Sequence, residues 1–188
     1  SMGGNLTLLY LGRAGQSVPE EVCGAVTFSV PCDLRGASEA IGRPSNRIYM
    51  YRFLRDLHTH MIPMAARFPD AISLRGYKEI RNFYDFDNRY TAPLHGFRDA
   101  FDYWDRSSSR AVIASIARPT WIISARNDPF LSPSCFPEVE AAANPLVQLI
   151  DPASGGHCGF IAFNHDGRYW SETIACHAVE AATSRDFS

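Results

Sequence analysis

The stretch Ser1-Met2-Gly3-Gly4-Asn5 decides how the fold is interpreted. It matches the second half of a G-x-S-x-G nucleophile elbow, in which a serine occupies a strained turn between a strand and a helix. Small residues flank such a serine because the strand and helix backbones pass too close for side chains. Two other interpretations stay open at this point. In the first, Ser1 is a residue left from a tag before a start at Met2. In the second, the two glycines belong to a flexible terminus.

The composition is that of one globular domain. The chain has 188 residues, of which 46% are hydrophobic and 20% are charged, so it can bury a substantial core. A net charge of -2 offers no basic patch for nucleic acid, and we predict no nucleic-acid partner. No apolar run approaches the ~20 residues of a membrane span. The five scattered cysteines contain no Cys-x-x-Cys pair, which predicts reduced thiols in a cytoplasmic protein rather than a disulfide framework or a zinc cluster.

Short strands separated by helical stretches predict an α/β fold with a mostly parallel sheet. The predicted strands are residues 25–30, 119–125 and 147–150. Residues 6–12 are apolar on nearly every face, which predicts a buried helix. Further helices are predicted at residues 48–68, 73–82, 96–104, 110–117 and 168–183.

The strand signal vanishes from Leu34 to about Ser109, and this interruption predicts a helical cap. The chain then divides into three parts. Residues 1–33 form a core part with the elbow helix and the following strand, residues 34–109 form the cap and the return to the core, and residues 110–188 form a core part with the last two strands and the C-terminal helix. Aromatic residues within the cap are expected to be core, although some of them could line an acyl pocket.

A serine, an aspartate and a histidine follow each other in the order Ser1, Asp128, His157. Asp128 and His157 each lie a few residues beyond a predicted strand, and sites in parallel sheets gather at the carboxyl ends of strands. In this arrangement His157 would take the proton of the Ser1 hydroxyl and Asp128 would orient the imidazole. The backbone N–H of Met2 would be one oxyanion donor. An ordinary Asn-Asp-Pro turn and a structural histidine in a Gly-rich loop stay open as alternatives.

Two other features carry no predicted chemistry. His58 and His60 are two residues apart, so they face apart on a helix, and no third ligand is nearby. We therefore predict no metal and no cofactor. Cys158, beside His157, is interpreted as a small packing residue.

Four stretches in this order resemble the YheT-like branch of the α/β-hydrolases. They are Ser1-Met2-Gly3-Gly4-Asn5, Asp85-Phe86-Asp87 with residues 91–97, Pro119-Thr120 with residues 125–130, and Gly155-Gly156-His157-Cys158-Gly159-Phe160. The resemblance implies an α/β-hydrolase fold with a helical cap and a Ser1–Asp128–His157 triad. It also implies hydrolysis of carboxylic esters through an acyl-enzyme, with short- to medium-chain or lipid-like esters as substrates.

The resemblance also implies an N-terminal half that precedes the serine and carries the second oxyanion donor. We therefore expect this chain to be inactive alone, and either unstable or completed by the missing half or by another copy. Asn127 stands where relatives often have a second aspartate, which leaves Asp128 as the only candidate acid in its turn. The alternatives are a non-catalytic binding or assembly module, an acyltransferase with the same triad, and a hydrolase in which the α-amine of Ser1 is the base.

Overall fold

A parallel sheet of three strands lies at the centre of the fold. In the computed structural model, which describes residues 1–161 and 167–184, the strands are β1 (Ala25–Phe28), β2 (Thr120–Ile123) and β3 (Val147–Ile150). Their order is β1-β2-β3, with Ala25 opposite Thr120 and Thr120 opposite Val147. The expected parallel arrangement is confirmed. β1 is shorter than predicted because Ser29 adopts a positive φ of 51° and turns the chain out of the strand.

Helices make up most of the rest of the described chain. They are α1 (Met2–Ala14), α2 (Leu34–Ile41), α3 (Arg47–Arg67), α4 (Phe83–Phe86), α5 (Ala92–Leu94), α6 (Ala100–Ser107), α7 (Glu138–Ala142) and α8 (Trp170–Ser184). Single turns of 3₁₀-helix occur at Gly15–Ser17, Pro44–Asn46, Tyr77–Glu79 and Pro133–Cys135, a longer 3₁₀-helix spans Arg110–Ser115, and a π-helical segment spans Asp87–Thr91.

The central strand β2 places alternate side chains on the two faces of the sheet. Ile122 packs with Leu8 and Leu11 of α1 on one face. Trp121 and Ile123 pack on the other face, in a cluster to which α8 contributes. All four residues of β2 are buried, as expected for a central parallel strand.

The prediction that residues 6–12 are buried on every face is wrong. Leu6 is 61% exposed and Tyr10 is 50% exposed, whereas Leu8 and Leu11 are fully buried. The reason is that α1 packs on one side only, against β1 and the 3₁₀-helix Arg110–Ser115. No element in the described part of the chain covers its other side.

The cap residues 34–109 contain no strand in the structure, as predicted. The predicted helix at 73–82 is wrong, since only Tyr77–Glu79 forms a 3₁₀ turn after Gly76 enters the left-handed region at φ 72°. The predicted helix at 96–104 starts later, at Ala100. Its start is fixed by Asp99, whose carboxylate accepts the N–H of Asp102 at 2.8 Å. The predicted helix at 110–117 is the 3₁₀-helix Arg110–Ser115.

The two ends of the cap meet beside α1. The carbonyl of Cys32 accepts the N–H of Arg110 at 3.0 Å. Asn5 of α1 is fully buried, and its side chain donates to the carbonyl of Ser107 at 2.8 Å and accepts the N–H of Ser109 at 2.9 Å. These contacts tie α1 to the chain where it leaves the cap. The division into parts 1–33, 34–109 and 110–188 itself stays a prediction.

Two further observations concern the described residues only. None of their helices combines the length and the apolar character that a bilayer crossing would need. The five cysteines are free thiols, and the cytoplasmic location stays a prediction.

Candidate active site

The structure brings Asp128 and His157 together. Nδ1 of His157 lies 2.8 Å from Oδ2 of Asp128. The Asp128 side chain has no solvent exposure and the His157 side chain is 19% exposed. The other carboxylate oxygen of Asp128 accepts the N–H of Phe130 at 2.9 Å. Because a carboxylate can only accept, the ring proton of neutral His157 lies on Nδ1 and leaves Nε2 as an acceptor.

Neighbouring strands position this pair. Asp128 lies in the turn that follows β2, and His157 lies in the loop that follows β3. The side chain of Asn127 connects the two, since its Oδ1 accepts the N–H of Gly155 at 3.0 Å and of Gly156 at 2.9 Å. The carboxyl ends of these parallel strands therefore bring Asp128 and His157 together at one edge of the sheet.

Ser29 makes a third connection to this loop, from the end of β1. Its hydroxyl donates to the carbonyl of His157. Neither contact is predicted from the sequence, in which Ser29 has no expected role and Asn127 is only a departure from the family pattern. A polar residue at a strand end was the signal available for both, but it does not identify a hydrogen-bond partner.

Ser1 lies at the N-terminal end of α1, beside the end of β1. Its backbone nitrogen donates to the carbonyl of Phe28 at 2.7 Å. Met2 begins α1, and the first N–H groups of a helix have no partner within the helix, which suits an oxyanion donor. A Cβ on Gly4 would meet Val30 at 2.6 Å, so this glycine permits the close approach of α1 to the chain after β1. A Cβ on Gly3 would meet nothing within 4 Å in the described structure, so the steric reason expected for that glycine is not seen there.

An apolar cavity of about 670 Å³ joins the serine to the histidine, and both residues line it. Within the described chain, no hydrogen bond links the Ser1 hydroxyl to His157. The remaining lining is mostly apolar and comes largely from the cap and from the segments after β1 and β2. It includes Leu34, Ile41, Phe53, Leu57, Phe83, Phe86, Tyr103, Trp104, Phe130 and Leu131. The volume lies in the range of small-molecule sites, and part of the aromatic cap cluster does line it.

Asp87 contributes a carboxyl group to this mostly apolar wall. Its two oxygens accept the hydroxyl of Thr91 at 2.6 Å and the indole N–H of Trp104 at 2.8 Å. Burial raises the pKa of Asp87 above its ordinary value, and the two hydrogen bonds only partly oppose that rise.

The structure also places Cys158, His58 and His60, to which the sequence assigns no chemistry. The interpretation of Cys158 as a packing residue is wrong, because it is exposed and lines the cavity. The ring of His60 bonds the carbonyl of Asp56 at 2.9 Å, and the ring of His58 packs on Tyr77 with centroids 4.4 Å apart. Among residues 1–161 and 167–184, no three His, Cys, Asp or Glu side chains are grouped so that they could hold a metal ion.

Comparison with known proteins gives the family. No family model matches the chain. It is 34% identical over 163 residues to YheT of Escherichia coli, named as a candidate esterase, in a match that covers 86% of this chain and 47% of that protein. It is 32% identical over 162 residues to phospholipase ABHD3 of Mus musculus, covering 86% of this chain and 39% of the relative. The chain belongs to the YheT-like branch of the α/β-hydrolases.

The family confirms the predicted fold class, since a parallel sheet flanked by helices is part of the α/β-hydrolase fold. A more distant relative is the monoacylglycerol lipase of Saccharomyces cerevisiae, which is 28% identical over an alignment of 188 positions that covers 96% of this chain and 41% of the lipase. The chain thus spans less than half the length of the α/β-hydrolases that it matches.

Proposed function

We propose that this chain carries the nucleophile, acid and base of a carboxylic-ester hydrolase, namely Ser1, Asp128 and His157. The observation that carries the proposal is the hydrogen bond from His157 to the fully buried carboxylate of Asp128, at an apolar cavity that Ser1 also lines. The names of the relatives, which include a candidate esterase, a phospholipase and a monoacylglycerol lipase, support ester chemistry.

The reaction follows from the proton positions at His157. Nε2 of His157 would accept the hydroxyl proton of Ser1 while the Oγ of Ser1 attacks the carbonyl carbon of the ester. The oxyanion that forms would be stabilised in part by the N–H of Met2. Collapse of this intermediate breaks the bond to the alcohol, which leaves with the proton from Nε2. A water molecule then repeats the sequence on the acyl-enzyme, and Asp128 stabilises the imidazolium in both halves.

The cavity indicates the substrate class. Its lining is dominated by aliphatic and aromatic side chains, which would bind an acyl chain by burying its apolar surface. A cavity of about 670 Å³ accommodates a short- to medium-chain acyl group or a lipid-like ester of similar size.

The test uses the purified intact protein, that is, this chain together with the N-terminal half that the resemblance implies. The probe is a fluorophosphonate, which labels a serine only when its base is in place. We expect labelling at Ser1 and turnover of p-nitrophenyl esters. Ser1→Ala and His157→Ala should each reduce turnover by several orders of magnitude. Ser17→Ala, an exposed serine just after α1, should match the wild type. Labelling that persists in Ser1→Ala, or unchanged turnover in either site variant, would contradict the proposal.

A non-catalytic binding or assembly module is the second candidate. The observation that favours it is that the Ser1 hydroxyl makes no hydrogen bond to His157 in the part of the chain that the structure describes. Failure of the intact protein to label with the probe, together with retained binding of a fluorescent fatty acid, would support it.

Acyl transfer to an alcohol is compatible with the same triad. Adding a short alcohol during turnover and measuring the ester formed against the free acid would separate the two acceptors. Inactivity of this chain alone, and its completion by another chain, also stay predictions. Sedimentation velocity and thermal melting of the chain by itself would test them, and a cooperatively folded monomer would contradict the need for completion.

A further inference from the structure

We propose that Asn127 is a positioning residue for His157, and that its neutral amide keeps a second negative charge away from the imidazole. This inference rests on the proposed function, because it concerns the base of that reaction. Asn127 itself does not line the cavity, so it would act through the histidine loop and not on the substrate.

The geometry of the loop carries the first part of the proposal. One side-chain oxygen accepts two consecutive backbone N–H groups, those of Gly155 and Gly156, at 3.0 Å and 2.9 Å. His157 is the next residue along the chain. Gly156 has a φ of 61°, a left-handed conformation that a non-glycine residue rarely adopts. The amide therefore fixes the backbone immediately before the histidine.

Neighbouring residues of one turn hold the histidine at two points. Asp128 holds the Nδ1 atom of the ring at 2.8 Å, and Asn127 holds the backbone that leads into the ring. A ring fixed at one atom can still pivot about that hydrogen bond. Fixing the backbone as well sets the direction in which Nε2 points, and this direction decides whether Nε2 reaches the serine.

Packing restrains the histidine in addition to this clamp, by which we mean the two hydrogen bonds from Gly155 and Gly156 to Asn127. The rings of His157 and Phe130 lie 4.7 Å apart between centroids. Residues 153–159 are nevertheless exposed or only partly buried, and the next buried residue is Phe160. The loop is also held by the hydroxyl of Ser29, which donates to the His157 carbonyl, and by the N–H of Phe160, which donates to the Gly155 carbonyl at 2.9 Å. Segments with few apolar contacts open at low free-energy cost, so polar contacts decide their conformation.

The second part of the proposal is that the side chain at position 127 must be neutral. A carboxylate at this position would accept the same two N–H groups, so the clamp alone does not require an amide. It would, however, add a negative charge beside His157 and Asp128, and a nearby negative charge favours the imidazolium. A base that is already protonated cannot take the proton of the serine.

In the part of the chain that the structure describes, other titratable groups also lie near the histidine. Asp128 faces its ring, and Cys158 lies beside it along the cavity. Arg126 is the nearest cation in sequence, and it is paired with Glu138 and Asp151. A new carboxylate at 127 would therefore not find a free guanidinium in that turn.

Two variants of the intact protein separate the clamp from the charge. Asn127→Ala removes the acceptor, and we expect kcat to fall by about tenfold to a hundredfold with KM little changed. Asn127→Asp keeps the acceptor, and we expect most of kcat to be retained at alkaline pH while the acidic limb of the kcat/KM profile moves to higher pH. Gln16→Ala, which removes an exposed side-chain amide just after α1, is the matched control and should follow the wild type.

The outcomes that overturn the inference are distinct. An Asn127→Ala protein with a lower melting temperature but wild-type kcat and probe-labelling rate would show a merely structural role. A pH profile of Asn127→Asp that superimposes on the wild type would overturn the charge argument.

A readout independent of activity keeps the clamp testable if the proposed function fails. Amide hydrogen exchange at Gly155 and Gly156 should be slow in the wild type and faster in Asn127→Ala. Absence of wild-type protection there would refute the clamp, whereas absence of wild-type turnover with protection intact would refute the proposed function alone.

Discussion

Replacing Asp128 by asparagine tests the proposed chemistry with almost no change in shape. Of the two carboxylate oxygens, one accepts the N–H of Phe130 at 2.9 Å and the other accepts the ring N–H of His157 at 2.8 Å. An amide can offer only one oxygen. If its NH₂ group faced Phe130, two donors would meet in a buried site, which costs about 1–3 kcal/mol. We therefore expect the oxygen to stay with Phe130 and the NH₂ group to face His157.

The NH₂ group would then reverse the tautomer of the histidine. Nδ1 would have to accept, so the ring proton would move to Nε2, the atom that must take the serine proton. The loss expected from a wrong tautomer is about four orders of magnitude in kcat. At about 1.4 kcal/mol per factor of ten, this corresponds to about 5.5 kcal/mol of lost transition-state stabilisation.

The assay combines turnover with a direct view of the ring. Hydrolysis of a p-nitrophenyl ester gives kcat, and the ¹⁵N shifts of His157 report which nitrogen carries the proton. The control is Asp151→Asn, the same substitution at a partly exposed carboxylate that pairs with Arg126 at 2.6 Å. It should change kcat by no more than a few fold. A folded Asp128→Asn protein with kcat within tenfold of the wild type, or with the ring proton still on Nδ1, would refute the reasoning.

Two further predictions concern packing and charge in the intact protein. Gly12→Ala should lower the free energy of unfolding by more than about 1 kcal/mol, because its Cβ would meet the carbonyl oxygen of Val112 at 2.4 Å. Urea unfolding measures the change, and an unchanged free energy of unfolding would contradict the packing argument. Burial raises the pKa of Asp87, so the wild type should lose stability as the pH rises from the ordinary carboxyl range through that raised pKa. Asp87→Asn should remove this loss, and urea midpoints that fall equally in both proteins between acidic and neutral pH would show that Asp87 is not its source.

Periodicity predicted the positions of β3 and α3 closely. β3 was predicted at its observed bounds, and the prediction of residues 48–68 differs from α3 by one residue at each end. The predicted helix at 73–82 failed because a left-handed Gly76 interrupts a stretch with helix-forming composition. Local propensity does not contain that backbone conformation, which the surrounding cap packing determines.

The chain order of the candidate site residues predicted which strand ends carry them, but not the hydrogen bonds around them. The positions of Asp128 and His157 after strands were sufficient to expect that they would meet. The contacts of Asn127 and Ser29 could not be predicted, because each joins two loops whose relative path depends on the whole sheet. The burial of the cap and α1 surfaces is likewise a tertiary property, as the exposed Leu6 illustrates.

The hydrogen bond between the carbonyl of Cys32 and the N–H of Arg110 has a consequence for how this architecture can vary. A segment whose two ends lie one hydrogen bond apart can vary in length at a modest cost to the core, since loop-closure entropy rises only slowly with the number of residues. The cap supplies much of the cavity wall and none of the three proposed reacting side chains. If the proposed function holds, exchange of residues 34–109 between homologues should therefore transfer substrate preference while leaving the chemistry in place, which makes this segment the natural unit for recombination.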